Sequence, residues 1–197
     1  MRFKQLTLIG LCMVLLAPVA IAKKAEKQMD PQAMMETYKK LATPGEPHKQ
    51  FASLAGSWTT QTKEWMEPGK PPTESTGSVE MKMLLDGRFL QQEFNGNMMG
   101  QPYSGVGITA YDNLRKRYVS TWMDTMSTGI FTMEGTASPD GKTITLKGHH
   151  VEPGGGQMTH RAVWKLVDNN TQTFDMYGAH HGGKESKMME IIYTRKP

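Results

Sequence analysis

The histidines of this chain are candidate metal ligands. The six histidines include two adjacent pairs, His149-His150 and His180-His181. Imidazole binds zinc, copper and iron. Neighbouring residues on a strand point to opposite faces, so His149 and His150 cannot both point inward. The other pair, His180-His181, precedes a predicted Gly-Gly turn. No His-x-His or His-Glu-x-x-His spacing is present. A metal site would therefore need histidines from distant strands, and His160, which shares strand parity with Trp164, is the candidate axial ligand of a haem.

Methionine is the second candidate, because the chain has 17 of them. Six of them form three doublets, Met34-Met35, Met98-Met99 and Met188-Met189. Clustered thioethers could bind Cu(I), or they could line an irregular pocket for apolar ligands of varied shape. Since neighbours on a strand face opposite ways, the doublets cannot chelate as written. The sequence favours the pocket.

Catalysis has little support. No Gly-x-Ser-x-Gly elbow, phosphate loop or dinucleotide fingerprint occurs. Asp124 and Glu134 fall on predicted strands and could act as acid and base, but a charge on a strand is more often turned outward. The sequence leaves enzymatic activity open, leans against it and identifies no cofactor.

Large aromatic residues recur along the predicted strands. Tyr118 and Trp122 share one face of their strand, and with other aromatic residues they could wall an apolar cavity. Packing in the core or on an outer wall is the alternative for each. We expect the ligand-binding residues to be Trp58, Tyr118, Trp122, His160 and Trp164.

The first 22 residues are predicted to be a signal peptide. Arg2 and Lys4 precede an apolar run, residues 6–17, and small residues end the segment at Ala22. The run is shorter than the roughly 20 apolar residues of a membrane span, so cleavage is favoured over an uncleaved anchor. Cleavage would remove Cys12 and leave no disulfide. We expect an exported protein, periplasmic or secreted, with no stable membrane span after cleavage.

The charge of the chain is nearly balanced. Lys and Arg total 23 against 19 Asp and Glu, and no basic face is interleaved with aromatics. This composition argues against a nucleic-acid partner. Residues 115–117 form one tight basic cluster, which we interpret as a solvated hairpin turn, with an anionic membrane or partner contact as the alternative. Oligomeric state is left open.

After the predicted signal peptide, residues 23–55 form a leader and one helix, residues 31–42, with one further helical turn expected at 48–55. From residue 56 to 197 the apolar period changes to two, and turn residues recur regularly. The predicted strands are 56–66, 76–85, 88–97, 103–111, 117–124, 129–137, 143–151, 158–167, 171–177 and 187–195.

Short turns between these strands predict an antiparallel up-and-down sheet, because parallel strands need long crossovers. Closing about ten strands into a barrel removes exposed edges and encloses more space than side chains readily fill. The fold class is therefore all-β, a closed barrel with a short N-terminal helix and a ligand cavity. Trp58, which follows Gly56, is expected to plug its closed end.

Four segments together resemble a bacterial domain-of-unknown-function family with a calycin-like barrel, of the lipocalin, fatty-acid-binding or nitrobindin type. The resemblance implies the barrel but no activity. Nitrobindin-like proteins hold haem through a histidine, although this chain lacks the further glycine expected after Trp58. The segments are Gly45-Glu46-Pro47-His48-Lys49, Leu54-Ala55-Gly56-Ser57-Trp58, Tyr111-Asp112-Asn113 and Tyr118-Val119-Ser120-Thr121-Trp122-Met123-Asp124.

Three functions follow as hypotheses. The first is an exported barrel that binds a small apolar or amphipathic ligand in its cavity. The second is a haem or metal protein that acts on small oxidants, with His160 as the axial ligand. The third is a ligand-free barrel that serves as an interaction scaffold.

Overall fold

The computed structural model describes residues 30–180 and 182–197. The predicted signal peptide, Cys12, the leader up to residue 29 and His181 lie outside the described residues. Two helices come first, α1 (Pro31–Ala42) and α2 (Glu46–Leu54). Ten strands follow: β1 (Gly56–Glu64), β2 (Thr73–Leu84), β3 (Phe89–Met98), β4 (Gln101–Asp112), β5 (Arg117–Asp124), β6 (Phe131–Ala137), β7 (Thr143–Val151), β8 (Gln157–Leu166), β9 (Thr171–His180) and β10 (Ser186–Arg195).

Each strand pairs antiparallel with its neighbours in sequence, and β1 pairs with β10 to close the barrel. The predicted all-β, up-and-down barrel is confirmed. The turn between β2 and β3 shows why its residues suit it, since Asp86 and Gly87 both have a positive φ. Asp and Gly tolerate that left-handed backbone better than most residues.

Helix α1 begins where the Asp30 side chain accepts a hydrogen bond from the backbone N–H of Ala33, with Pro31 in the first turn. None of its residues is buried. Its C-terminal end is tied to the barrel by the Asn113 amide, which donates to the carbonyls of Leu41 and Thr43. The helix therefore lies on the outside of the barrel.

Helix α2 is a full helix rather than the single turn expected from the sequence. Its side chains His48, Phe51 and Leu54 are all buried against the barrel. The Gly45 N–H donates to His48 Nδ1 at 3.0 Å and fixes the start of the helix. Burial of this apolar face explains why so short a helix is stable.

Trp58 lies at this closed end, completely buried. Its indole N–H donates to the Leu54 carbonyl at 2.9 Å, and the Arg195 guanidinium sits 4.2 Å from the ring centre. Arg195 also donates to the carbonyls of Ser53 and Ala55, so it ties the last strand to the end of α2. The first and last strands thus meet under the helix that closes the barrel.

Among the described residues, no helix is both long enough and apolar enough to span a membrane.

Candidate functional site

The end of the barrel opposite α2 contains a cavity of about 130 Å³. Glu64, at the far end of β1 from Trp58, marks its position. Its wall is mostly apolar, with four thioethers from Met98, Met133, Met176 and Met189. The aromatic members of the wall are Phe94, Tyr103, Trp122, Phe131, Phe174 and Tyr193.

A wider mouth of about 560 Å³ adjoins this inner cavity. Seven residues line both spaces: Glu64, Met98, Tyr103, Trp122, Phe131, Met176 and Met189. The mouth adds Trp65, Asp124, His150, His160 and further methionines. The two spaces therefore share part of their wall at the end of the barrel opposite α2.

Trp122 is held across the wall by two glycines of β4. A Cβ on Gly105 would overlap the indole ring, and one on Gly107 would lie 2.9 Å from its Cε3 atom. The indole N–H donates to the Tyr103 hydroxyl at 2.8 Å and lies 3.1 Å from Asp124 Oδ2. One face of the ring therefore packs directly on the backbone of the two glycines, and hydrogen bonds hold its edge.

Asp124 completes this edge of the mouth. Its Oδ2 accepts from the Tyr103 hydroxyl at 3.1 Å, and its Oδ1 accepts from the Met126 N–H at 2.9 Å. Burial raises the pKa of Tyr103 above its usual value, and the negative charge of Asp124 raises it further. Tyr103 thus stays a protonated donor. The sequence-based preference for an outward Asp124 was wrong, whereas Glu134 does lie on the outside, paired with Arg115.

Among the described residues that line the inner cavity, Glu64 is the one with a carboxyl group. The residue is 8% exposed, and its Oε2 atom is buried without a hydrogen-bond partner among the described residues. Burial raises the pKa of this carboxyl, against the opposing effect of the Met99 N–H. The hydroxyls of Thr62 and Thr60, which precede it on the inward face of β1, are buried and unpartnered in the same way.

His150 and His160 form a stacked pair at the mouth. Their ring centres are 5.0 Å apart, His150 Nδ1 lies 2.9 Å from His160 Nε2, and the edge of Phe131 meets both rings. Burial lowers the pKa of His160 to about 4, with further lowering from His150 and His180. His149 lies on the other side of β7, beside Arg161 and Glu185, as strand alternation predicts.

This arrangement does not suit a haem on His160. The Nε2 atom is taken by His150, and Nδ1 is buried with no partner among the described residues. An iron ion would have to displace His150. Within residues 30–180 and 182–197, no three His, Cys, Asp or Glu side chains are grouped so that they could hold a metal ion.

Two methionine doublets contribute both members to the mouth. The pairing of β10 with β9 shifts register between Lys187 and Met189, and both Met188 and Met189 line the mouth. Met98 ends β3 and Met99 has a positive φ in the turn that follows, and both again line the mouth. The expectation of opposite faces was wrong here, because a bulge and a turn interrupt the alternation.

The sequence-predicted site residues divide into two groups. Trp122 and His160 lie together at the mouth. Trp58, Tyr118 and Trp164 lie in the buried core and do not line either space. Tyr118 packs edge-on against the Phe51 ring of α2, and the Trp164 N–H donates to Gln172 at 2.7 Å.

Glu64 and Tyr103 were missed by the sequence analysis. Strand parity could have found Glu64, because it lies an even number of residues after Trp58 on β1 and so shares its inward face. Tyr103 likewise shares the inward face of β4 with Gly105 and Gly107.

Comparison with known proteins gives one family and a set of barrels. A family described as Protein of unknown function (DUF1579) matches residues 43–195. No curated protein matches the chain. The structure of Rv2717c from M. tuberculosis superposes with a TM-score of 0.59 at 15% identity, over 79% of this chain and 100% of that chain.

Two further solved structures are more distant barrels. A redesigned beta barrel has a TM-score of 0.40 at 15% identity, over 75% of this chain and 95% of that chain. The structure of EF1p2_mFAP2b bound to DFHBI has a TM-score of 0.42 at 10% identity, over 77% of this chain and 100% of that chain. At these identities the similarity to Rv2717c concerns the fold alone.

Proposed function

This chain belongs to the DUF1579 family, whose function is unknown, and we propose that it binds a small apolar or amphipathic molecule in the barrel cavity. The observation that carries the proposal is the wall of the inner cavity, where aromatic rings and four methionine thioethers surround open space. Flexible thioethers and rigid rings suit apolar ligands of varied shape.

The two spaces suggest the form of the ligand. A cavity of about 150 Å³ holds a benzene-sized molecule, so the inner space of about 130 Å³ would take one ring or a short alkyl end. The mouth of about 560 Å³ would take the remainder. Burial of the apolar part would contribute roughly 25 cal/mol per Å², before the costs of association.

Trp122 and His160 are the sequence-predicted residues that we propose contact the ligand, together with Glu64, Tyr103 and Met176. Trp58, Tyr118 and Trp164 would act through the core, which closes the other end of the barrel and keeps the cavity rigid. We further propose, from the sequence of residues 1–22, that the protein is exported and meets its ligand in the periplasm or outside the cell.

Native mass spectrometry of protein purified without detergent tests the proposal. We expect wild-type protein to carry a small molecule that is released on collisional activation. Ser120 lines the inner cavity, so Ser120→Phe would put a ring into the space and abolish the bound mass. Ser120→Ala is the matched control, because it removes only the hydroxyl contact with Thr109.

The same preparation distinguishes the other two hypotheses. A Soret band that disappears in His160→Ala would support the haem protein, despite the engaged Nε2 atom, and would contradict the proposal. A ligand-free wild type with no Soret band would instead support an interaction scaffold.

A further inference from the structure

The inner cavity carries a charge preference that follows from its wall. None of the described residues that line it is Lys, Arg or His, and its one carboxyl group is Glu64. A carboxylate ligand would therefore meet no opposite charge there and would lie beside an acidic group. Like charges within a few ångströms in a poorly solvated space repel strongly.

Glu64 points to a ligand because it is buried and incompletely hydrogen-bonded. The residue is 92% buried, and its Oε2 atom has no partner among the described residues. A buried polar atom without a partner is uncommon and costly, which makes it a candidate for a hydrogen bond to a bound molecule. The unpartnered Thr62 hydroxyl lines the same cavity and could accept a second hydrogen bond.

The aromatic wall adds to this preference. Trp122, Tyr103 and Phe131 line both the inner cavity and the mouth. The faces of aromatic rings attract cations, most strongly when the cation is desolvated. A cation that reached Glu64 would therefore pass between electron-rich rings.

The charged groups around the mouth do not reverse the preference. Asp124 adds a second carboxylate. Lys187, whose ammonium lies 5.8 Å from the Trp65 ring centre, is held by Asp175 at 2.8 Å and Glu190 at 2.6 Å. His150 and His160 are the basic residues among the described residues of the mouth, and they are engaged with one another.

We propose that the cavity selects its ligand by charge, taking a hydrophobic amine whose ammonium group meets Glu64 and rejecting the matching carboxylate. This inference rests on the proposed ligand-binding function. The apolar end of the amine would occupy the inner cavity among the methionines. Its ammonium would donate to Glu64 Oε2 and to the Thr62 hydroxyl.

Isothermal titration calorimetry at pH 7.5 with three probes of the same body tests the proposal: 3-phenylpropylamine, 3-phenylpropan-1-ol and 3-phenylpropanoate. We expect wild-type protein to bind the amine at least about tenfold more tightly than the carboxylate, with the alcohol between them. This comparison needs no variant, so it stands even if a substitution prevents folding.

Glu64→Gln then identifies the group responsible. We expect it to weaken amine binding at least about tenfold and to change alcohol binding by less than about threefold. Glu74→Gln is the matched control, because Glu74 lies on the exposed outer wall near Lys63 and its loss changes the net charge equally. Amine binding should be unchanged in that variant.

The outcomes separate the two proposals. Carboxylate binding as tight as amine binding, or amine binding that survives Glu64→Gln, would overturn the charge selection and leave the ligand-binding function standing. Binding of a neutral apolar dye but of none of the three probes would also overturn the charge selection. Failure of the dye and of all three probes would overturn the proposed function itself.

Discussion

Acidification should destabilise the barrel through His160. The imidazole is 8% exposed, and burial together with His150 and His180 lowers its pKa from 6.5 to about 4. Below pH 6.5 the unfolded chain takes up a proton that the folded protein does not bind. The stability that neutral His160 provides is therefore present above pH 6.5 and is lost as the pH falls toward 4.

The size of this effect follows from the two pKa values. At pH 5.0 the unfolded histidine is mostly protonated, while the folded one is mostly neutral. Linkage then gives a loss of about 2 kcal/mol of unfolding free energy between pH 7.5 and pH 5.0. That amount is a substantial fraction of the stability of an ordinary domain.

Urea unfolding at the two pH values measures the loss, with His160→Gln as the variant because glutamine does not titrate. The unfolding free energy of wild-type protein should fall by about 2 kcal/mol more than that of His160→Gln. His149→Gln serves as the control, since His149 is an exposed residue of the neighbouring strand β7 and faces the other side of that strand from His150. It should retain the wild-type pH dependence.

Equal pH dependence in wild-type protein and His160→Gln, within about 0.5 kcal/mol, would refute this reasoning. It would mean that the folded protein protonates His160 readily, so that Phe131 and His150 do not enclose the ring.

Three further substitutions test inward-facing residues of β1 and β4. Burial raises the pKa of Glu64, so the charge of this carboxylate lowers stability at neutral pH. Glu64→Gln should therefore raise the melting temperature at pH 7.5. A gain that does not shrink toward pH 4 would contradict this reasoning. Thr60→Val removes a buried, unpartnered hydroxyl and should raise the unfolding free energy by about 1 kcal/mol in urea, whereas destabilisation would indicate a missed partner. Gly105→Ala should push Trp122 into the cavity, lower the unfolding free energy by about 1–3 kcal/mol and weaken dye binding. Gly154→Ala is the control, because open space surrounds the new methyl group. Equal effects of the two substitutions would count against the packing of Trp122 on β4.

Much of the fold could be predicted from local patterns. The helix at 31–42 and the strands at 117–124 and 143–151 coincide with α1, β5 and β7. Alternating apolar residues and turn-forming residues are local signals, so they place antiparallel strands well. Helix α2 is longer than the single turn that was expected. Its stability comes from burying Phe51 and Leu54 against the barrel, and the local sequence of nine residues does not contain that information.

The candidate site was harder to predict because it depends on where each inward-facing residue lies along the barrel axis. Trp58 and Trp122 have equally strong aromatic signals, yet one plugs the closed end and the other lines the mouth. Position along the barrel axis decides between these roles, and it follows from the register of strand pairing. The bulge at Met188 could not be predicted either, because it arises where β10 meets β9.

Titration of a neutral apolar dye, N-phenyl-1-naphthylamine, tests the ligand-binding cavity most directly, because the dye brightens in apolar surroundings. We expect saturable binding to wild-type protein and to Ser120→Ala, within about threefold of each other. Ser120→Phe should weaken binding at least about tenfold, because its ring would fill the cavity of about 130 Å³. Absence of dye binding to wild-type protein, or equal binding to Ser120→Phe, would contradict the proposal.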